Sequence, residues 1–580
     1  MDATLTISSL LLVFSLTLGA LAHNTRETDD QRFETLARDY IQKYLEMNPE
    51  QASDLGDHRF DSRLDDHTPA QIERRRKFDQ EYLKAMSQIS PANLSKVNSV
   101  DYRIMRTRIE YDLFRLDTLR EYEWNPLQYN FGNPVYTLVA RDYAPLKERL
   151  LSVRERLKQI PGAVAQAKAN LKNPPAINTE TAIQQNQGAI NLIRNDLKQF
   201  IEQVPDLKVE LASAQSEAIS ALEVYGKWLR EELLPRSTAD FRLGEQKFRQ
   251  KLKFALDSDL TKEEILARAE PDLKVTQDTM YEVAVPLYTK YFPQRSDAAH
   301  LKDQAGVVKA VLTKLTEAHP TNDTIVPLAK QELQRATNFV RTNNLVTVPS
   351  EPVKVIVLPE FKRGVAVASC DSAGPFEKNG ETFFEISPTP SDWTNTRVES
   401  FFREYNNYMV QDLTVHEAMP GHYVQLAHAN KFSAPTKVRA IFNSGSFIEG
   451  WAVYAEQLMA ERGYGGPEVR MQQLKMRLRV IINAIIDQKI HTAGMTEKEA
   501  IEFMMNEGYQ EEGEAAGKWR RARLSSTQLS TYYVGNLEVS DIRKAYEAKL
   551  GRPVDYRRMH DLMLSFGSPA PKYVKELMGL

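Results

Sequence analysis

Two histidines flank a glutamate and a Pro-Gly pair in Thr414-Val415-His416-Glu417-Ala418-Met419-Pro420-Gly421-His422-Tyr423-Val424-Gln425. Imidazole is a common zinc ligand, and a glutamate beside a ligating histidine is placed to take a proton from a metal-activated water. In the usual His-Glu-x-x-His pattern the histidines are four apart and share one helix face. Here the step from His416 to His422 is six. On an unbroken helix six residues turn through roughly 600°, so the two imidazoles would diverge by about 120°. Pro420 removes a backbone donor, and Gly421 opens dihedrals closed to other residues. The break is expected to swing His422 back towards a cation held by His416.

The third ligand is expected from Ser446-Phe447-Ile448-Glu449-Gly450-Trp451-Ala452-Val453-Tyr454-Ala455-Glu456, which reads as a helix with Glu449 and Glu456 on nearly one face. A carboxylate from a second helix completes zinc sites of two histidines and a glutamate. Glu449, first after the loop, is taken as the ligand, and Glu456 as the group that orients a histidine N–H. The exchange of those two roles is the alternative. Glu417 is the expected general base. Tyr532 is a candidate donor to a developing oxyanion, against a reading as a core tyrosine, and His560 either assists the reaction or caps a helix. Arg521 and Arg523 read as helix-surface residues, with a seat for a substrate carboxylate as the second reading. His428 reads as surface or structural, and Trp451 as packing.

These residues need elements to hold them. From Gln31 to about Asn344 apolar residues recur at three- and four-residue spacing with breaks at Pro or Asn, the mark of successive amphipathic helices. Pro145 to Ile160, stopped by Pro161-Gly162, and Thr181 to Gln203 are two of them. Between Pro352 and Pro388, Val353 to Leu358, Gly364 to Ala368 and Glu381 to Ile386 read as short strands of one small sheet. Phe383 to Ile386 is expected to be the edge strand above the metal, where an extended peptide would add to the sheet. Helical periodicity returns after Asn395 and persists to Leu580. The expected fold class is mainly α with one small β-sheet next to the histidine helix. An N-terminal helical region, 23–345, and a catalytic region, 346–580, are expected as two lobes of one body, because no Pro/Gly/Ser-rich linker divides them.

The histidine segment and the Glu449 helix together resemble the bacterial domain-of-unknown-function family 885, whose members carry His-Glu-x-x-Pro-Gly-His-x-x-Gln and Glu-Gly-Trp-x-x-Tyr-Ala-Glu. Both stand here, at His416 to Gln425 and Glu449 to Glu456. Gln528 to Gly535, with Thr531 in place of a serine, and Met559 to Gly567 are similar to two further segments of that family. The family resembles helical zinc peptidases such as thimet oligopeptidase, neurolysin and angiotensin-converting enzyme. That resemblance implies a two-lobed, zincin-like metallopeptidase fold with a deep cleft and a peptide substrate.

Composition sets the remaining bounds. The 580 residues carry 75 Lys and Arg against 78 Asp and Glu, and 42% are hydrophobic, so the chain can bury a large core and lacks the charge excess of a nucleic-acid binder. Cys370 is its one cysteine, which excludes an internal disulfide and cysteine-based metal clusters; it reads as a small buried apolar residue. An apolar run from Leu10 to Leu21 meets the small-x-small triplet Ala20-Leu21-Ala22, so residues 1–22 read as a signal peptide, although Asp2 precedes the run and no Lys or Arg does. The run is shorter than the ~20 residues that span a bilayer. The expectation is an exported, periplasmic or secreted, Zn2+-dependent hydrolase of short peptides without nucleic-acid or membrane partners. A metal-dependent esterase or amidase on non-peptide substrates, and a helical binding protein with a degenerate site, are the alternatives.

Overall fold

Thr28, Thr68, Ser95 and Thr261 each lend a side-chain oxygen to a backbone N–H in the first turn of a helix, the groups a helix leaves without partners. Helices make up most of the computed structural model, which describes residues 27–358, 367–377, 380–390, 393–550 and 553–580. The expected leader lies outside the described residues. Among them no helix is long and apolar enough to cross a membrane.

Two helices differ from expectation. The one beginning at Leu146 does not stop at Pro161 but runs on to Asn170. Pro161 faces solvent, while Ala163, Val164 and Ala167 extend the buried stripe of Val153, Leu157 and Ile160; that burial outweighs the single lost hydrogen bond. The helix around Thr181 starts earlier, at Ala176, and widens into a π turn over Leu192–Asp196.

The sheet has three strands, β1 (Val353–Val357), β2 (Ala368–Asp371) and β3 (Thr382–Ile386), in the order β1-β3-β2. β3 is therefore central, parallel to β1 and antiparallel to β2, and the expectation of an edge strand at Phe383 to Ile386 is corrected. The reason is apolarity: Phe383 to Ile386 are buried, as a strand flanked on both sides requires. β2 lies further along the chain than Gly364 to Ala368, and residues 364–366 fall outside the described ones. Its polar Ser369 and Asp371 hid it from the apolar pattern.

Packing runs across residue 345. Phe248 to Leu315 share one apolar core with Val453 to Val534, and Ile325 to Val340 share another with the sheet and the histidine segment. Leu64 and the buried residues from Tyr129 to Leu233 form a core of their own, while Phe33 to Ile109 pack with Val438 to Phe442. The far end of β2 is tied to this earlier part of the chain: Arg141 pairs with Asp371 and also donates to its carbonyl at 3.1 Å. Just beyond, His58 lies 2.9 Å from both Asp61 and Glu377 and stacks on Tyr143.

Burial disfavours the His58 imidazolium, but Asp61 and Glu377 outweigh it and push the pKa up to about 9. A folded value above the ordinary 6.5 means the clamp's stability is full below about pH 6.5 and is lost as pH rises through about 9. The difference in thermal midpoint between the parent and His58→Gln is expected to shrink steadily from pH 6 towards pH 9.5; a constant difference would exclude a charged clamp.

The helices Gly445–Glu461 and Ser530–Leu550 cross with their backbones in contact, so a Cβ at Gly450 would overlap the Gly535 peptide, and one at Gly535 the Ser446 carbonyl. Gly450→Ala should therefore lower the midpoint of thermal unfolding, since overpacking a tight contact costs about 1–3 kcal/mol. An unchanged midpoint would show that the helices are further apart.

Candidate metal centre

The helix Asn407–Glu417 starts on the Asn406 side chain, which accepts from the N–H groups of Tyr408 and Met409. It stops at Glu417, and a new helix begins at His422. Between them the Gly421 N–H donates to the Val415 carbonyl at 2.9 Å. A Cβ on residue 421 would collide with the His416 carbonyl oxygen, so only glycine lets the chain fold back this closely. The fully buried Trp451 donates its indole N–H to the Pro420 carbonyl at 2.9 Å and holds the turn from the opposite side. The outcome is the one the six-residue spacing demands: the rings of His416 and His422 stand 4.7 Å apart at 86°.

Glu449 rises from the helix Gly445–Glu461 to meet them. Its Oε2 is 3.5 Å from His416 Nε2 and 3.4 Å from His422 Nε2. Atoms bound tetrahedrally to zinc at about 2.0–2.1 Å lie roughly 3.3–3.4 Å from one another, so this spacing suits a zinc ion. Among the described residues no other group of His, Cys, Asp and Glu side chains converges in this way, with all donor atoms within 4.8 Å. Glu449 Oε2 is buried and makes no hydrogen bond, a costly state that a bound cation would relieve. Burial opposes its charge, yet the two imidazoles hold the carboxyl well below the usual carboxylate range.

Behind His416, Glu456 Oε1 sits 2.6 Å from Nδ1. A carboxylate there requires the proton on Nδ1 and leaves Nε2 as the lone pair facing Glu449. Asp412, one turn before His416, is driven well above its ordinary pKa by burial and then by the charge of Glu456. Glu417 is buried at the end of its helix and, among the described residues, forms neither a hydrogen bond nor an ion pair. Its charge reaches Cys370 on β2, whose thiol is pushed up by burial first and by Glu417 next. Cys370 as a residue is partly exposed, since β2 is an edge strand, although its thiol lies on the buried side.

Tyr532 lies one turn before Gly535, and Gly535 abuts Gly450, the neighbour of Glu449. Its hydroxyl accepts from Arg521 at 2.8 Å and from Gln528 at 3.3 Å. With both lone pairs engaged, its own O–H is left to donate elsewhere. Arg521 is thus drawn in from the helix surface expected for it, whereas Arg523 packs over Trp519 and Phe241.

His560 is not brought to this group. Its Nδ1 is 2.7 Å from the Leu345 carbonyl, its Nε2 is 2.8 Å from the Tyr454 hydroxyl, and burial pushes its pKa down to about 4. Trp451 packs against its ring and separates it from the histidines. The expected catalytic part for His560 is corrected to a structural one. His428 likewise bonds the Thr347 carbonyl at 2.8 Å. Sequence reasoning missed Lys518, which burial pushes down to about 8. The signal was there: Ala515, Lys518, Trp519 and Ala522 form the buried stripe of the helix Glu512–Leu524.

A family model described as "Bacterial protein of unknown function (DUF885)" matches residues 49–578. The chain belongs to this family. Among solved structures, this DUF885 protein is similar to a protein of unknown function from Shewanella oneidensis, described as a candidate lipoprotein, at 32% identity and TM-score 0.79 over 94% of this chain and 100% of that one. A candidate lipoprotein from Colwellia psychrerythraea matches at 18% identity and TM-score 0.77, over 95% and 99% of the two chains. An M32 carboxypeptidase from Deinococcus radiodurans matches at 10% identity and TM-score 0.38, over 95% and 94%, a likeness too slight to carry an argument. No curated protein matches the chain.

Removing the carboxylate behind His416 should loosen the metal without unfolding the protein. Glu456→Ala is expected to weaken zinc binding about 10- to 100-fold in a competition with a chromophoric chelator. Unchanged affinity would mean that Glu456 does not orient the ligand.

Proposed function

We propose that this protein is an exported zinc-dependent peptidase, with His416, His422 and Glu449 as metal ligands and Glu417 as general base. The observation that carries the proposal is the convergence of two imidazole nitrogens and an orphaned carboxylate oxygen at zinc-ligand spacing. Zinc held by three protein ligands supplies an open position for water, lowers that water's pKa from 15.7 towards ~7 and polarises a carbonyl.

The chain's own residues supply the rest. Glu417, next to a proposed ligand and without a hydrogen bond or ion pair among the described residues, takes the proton from the attacking water and passes it to the leaving amine. Tyr532, whose hydroxyl oxygen is saturated by Arg521 and Gln528, donates its proton to the oxygen on which charge develops, a contact worth roughly 2.7–4 kcal/mol. Glu456 keeps the His416 tautomer fixed throughout.

The strand that favours peptides over other carbonyl substrates is β2. The Ser387 N–H donates to the Val367 carbonyl at 2.8 Å, so the bonded pairs of this antiparallel ladder are 367 with 387, 369 with 385 and 371 with 383. The peptide groups of Ala368 and Cys370 consequently point to the open side, where no described residue pairs with them. An extended substrate adds there as a fourth strand, alongside Glu417. Export rests on the leader-like first 22 residues and on relatives described as candidate lipoproteins.

Glu417→Gln should retain one equivalent of zinc by metal analysis while losing about 100- to 10,000-fold in peptide turnover, and His416→Ala should lose both. Turnover in the Gln variant equal to the parent's would remove Glu417 from the mechanism. Chelator-resistant turnover, or no stoichiometric metal in the parent, would remove the peptidase reading altogether.

A further inference from the structure

The helix Glu512–Leu524 carries two cations that feel the charge of Glu449, Lys518 in its buried stripe and Arg521 half-buried. Lys518 is 9% exposed, yet its ammonium makes no hydrogen bond; its one ion-pair neighbour among the described residues is Glu514, at 3.8 Å. Glu514 is shared, lying 3.7 Å from Arg479 and accepting from Tyr405 at 3.2 Å. Arg479 and Lys475 in turn share Glu404. Two carboxylates thus stand within ion-pair reach of three buried cations. One turn along from Lys518, Arg521 uses its Nη2 on Gln528 and Tyr532, forms no ion pair among the described residues, and keeps its remaining donors unused. The stem of Lys518 is buried while its ammonium, with no hydrogen-bond partner among the described residues, keeps its donors available to an anion.

The position of the pair says what that ligand is part of. Arg521 bonds Tyr532, and Tyr532 rides on the helix whose Gly535 touches Gly450, next to Glu449. The charge of Glu449 acts on Lys518, Arg521 and Tyr532 alike. Arg521 thus stands beside the proposed oxyanion donor, and an anionic group bound to the cations belongs to a substrate that reaches that donor. The Glu404, Tyr405 and Glu514 network ties the helix Glu512–Leu524 to the helix Gly466–Thr492 through Lys475 and Arg479.

We infer that Lys518 and Arg521 form an anion subsite that receives the free C-terminal carboxylate of the peptide, making this protein a carboxypeptidase; the inference rests on the peptidase reading above. Arg521 joins the two functions, since one guanidinium both seats the carboxylate and fixes the Tyr532 hydroxyl.

The test uses three N-acetylated tetrapeptides: a free acid, its C-terminal amide, and an amide in which aspartate replaces the last residue. The zinc-loaded parent is expected to cleave the free acid with a kcat/KM about tenfold or more above either amide. That ratio should collapse in Lys518→Met and survive in Lys518→Arg, which keeps the charge. Equal turnover of acid and amide by the parent would overturn the subsite, and an aspartyl amide as good as the acid would overturn its assignment to the chain terminus.

Calorimetry on the metal-free protein separates this from the peptidase reading. N-acetylphenylalanine should bind about tenfold more tightly than its amide, and the difference should vanish in Lys518→Met. Selective binding without any hydrolysis leaves the subsite standing and removes the peptidase; hydrolysis without acid preference does the reverse.

Discussion

The chain's passage over residue 421 governs the rest of the site. Two imidazoles six residues apart meet only if the backbone doubles back between them, and it doubles back only if nothing but hydrogen occupies the space beside the His416 carbonyl. Trp451 holds the other side of that turn through the Pro420 carbonyl. Trp451 sits two residues after Glu449, so one short stretch of helix both fixes the histidine turn and delivers the proposed third ligand. Ligand geometry is thereby made a property of two helices packed together.

The charges around this turn explain its composition. Asp412, Glu417, Glu449 and Glu456 are all close to His416, and burial makes each unpaired carboxylate costly. A bound dication would offset part of that cost, and the charge of Glu449 also acts on Lys518 and Arg521 of the helix Glu512–Leu524. A substrate carboxylate entering between metal and lysine would find positive charge on both sides.

Much of this was legible in the residues alone. The His416 and His422 spacing made sense only with a break, and Pro420-Gly421 announced one; Glu449 and Glu456, seven apart, stood on one face with separable duties. The small sheet showed in its apolar runs, but the order of its strands did not. Apolar patterning marks the most buried strand, so it pointed to β3, whereas the exposed edge belongs to β2, whose Ser369 and Asp371 break the pattern. His560 was misjudged because histidine type carries no information on where its nitrogens point, and Leu345 and Tyr454 take both. Lys518 escaped notice because a lysine on a helix is usually solvated; only its place in a stripe with Ala515 and Ala522 marked it as internal.

The tethering of β2 has a further consequence. The open strand ends at Asp371, held by Arg141, and the segment beyond it is gripped by His58 through Glu377. None of the proposed metal ligands lies before residue 416, yet the height and tilt of the strand above them are set by two residues from the first quarter of the chain. The early helices act in this sense as a gauge block: supplying none of the proposed ligands, they would set how far a substrate's backbone lies from the groups proposed to cut it.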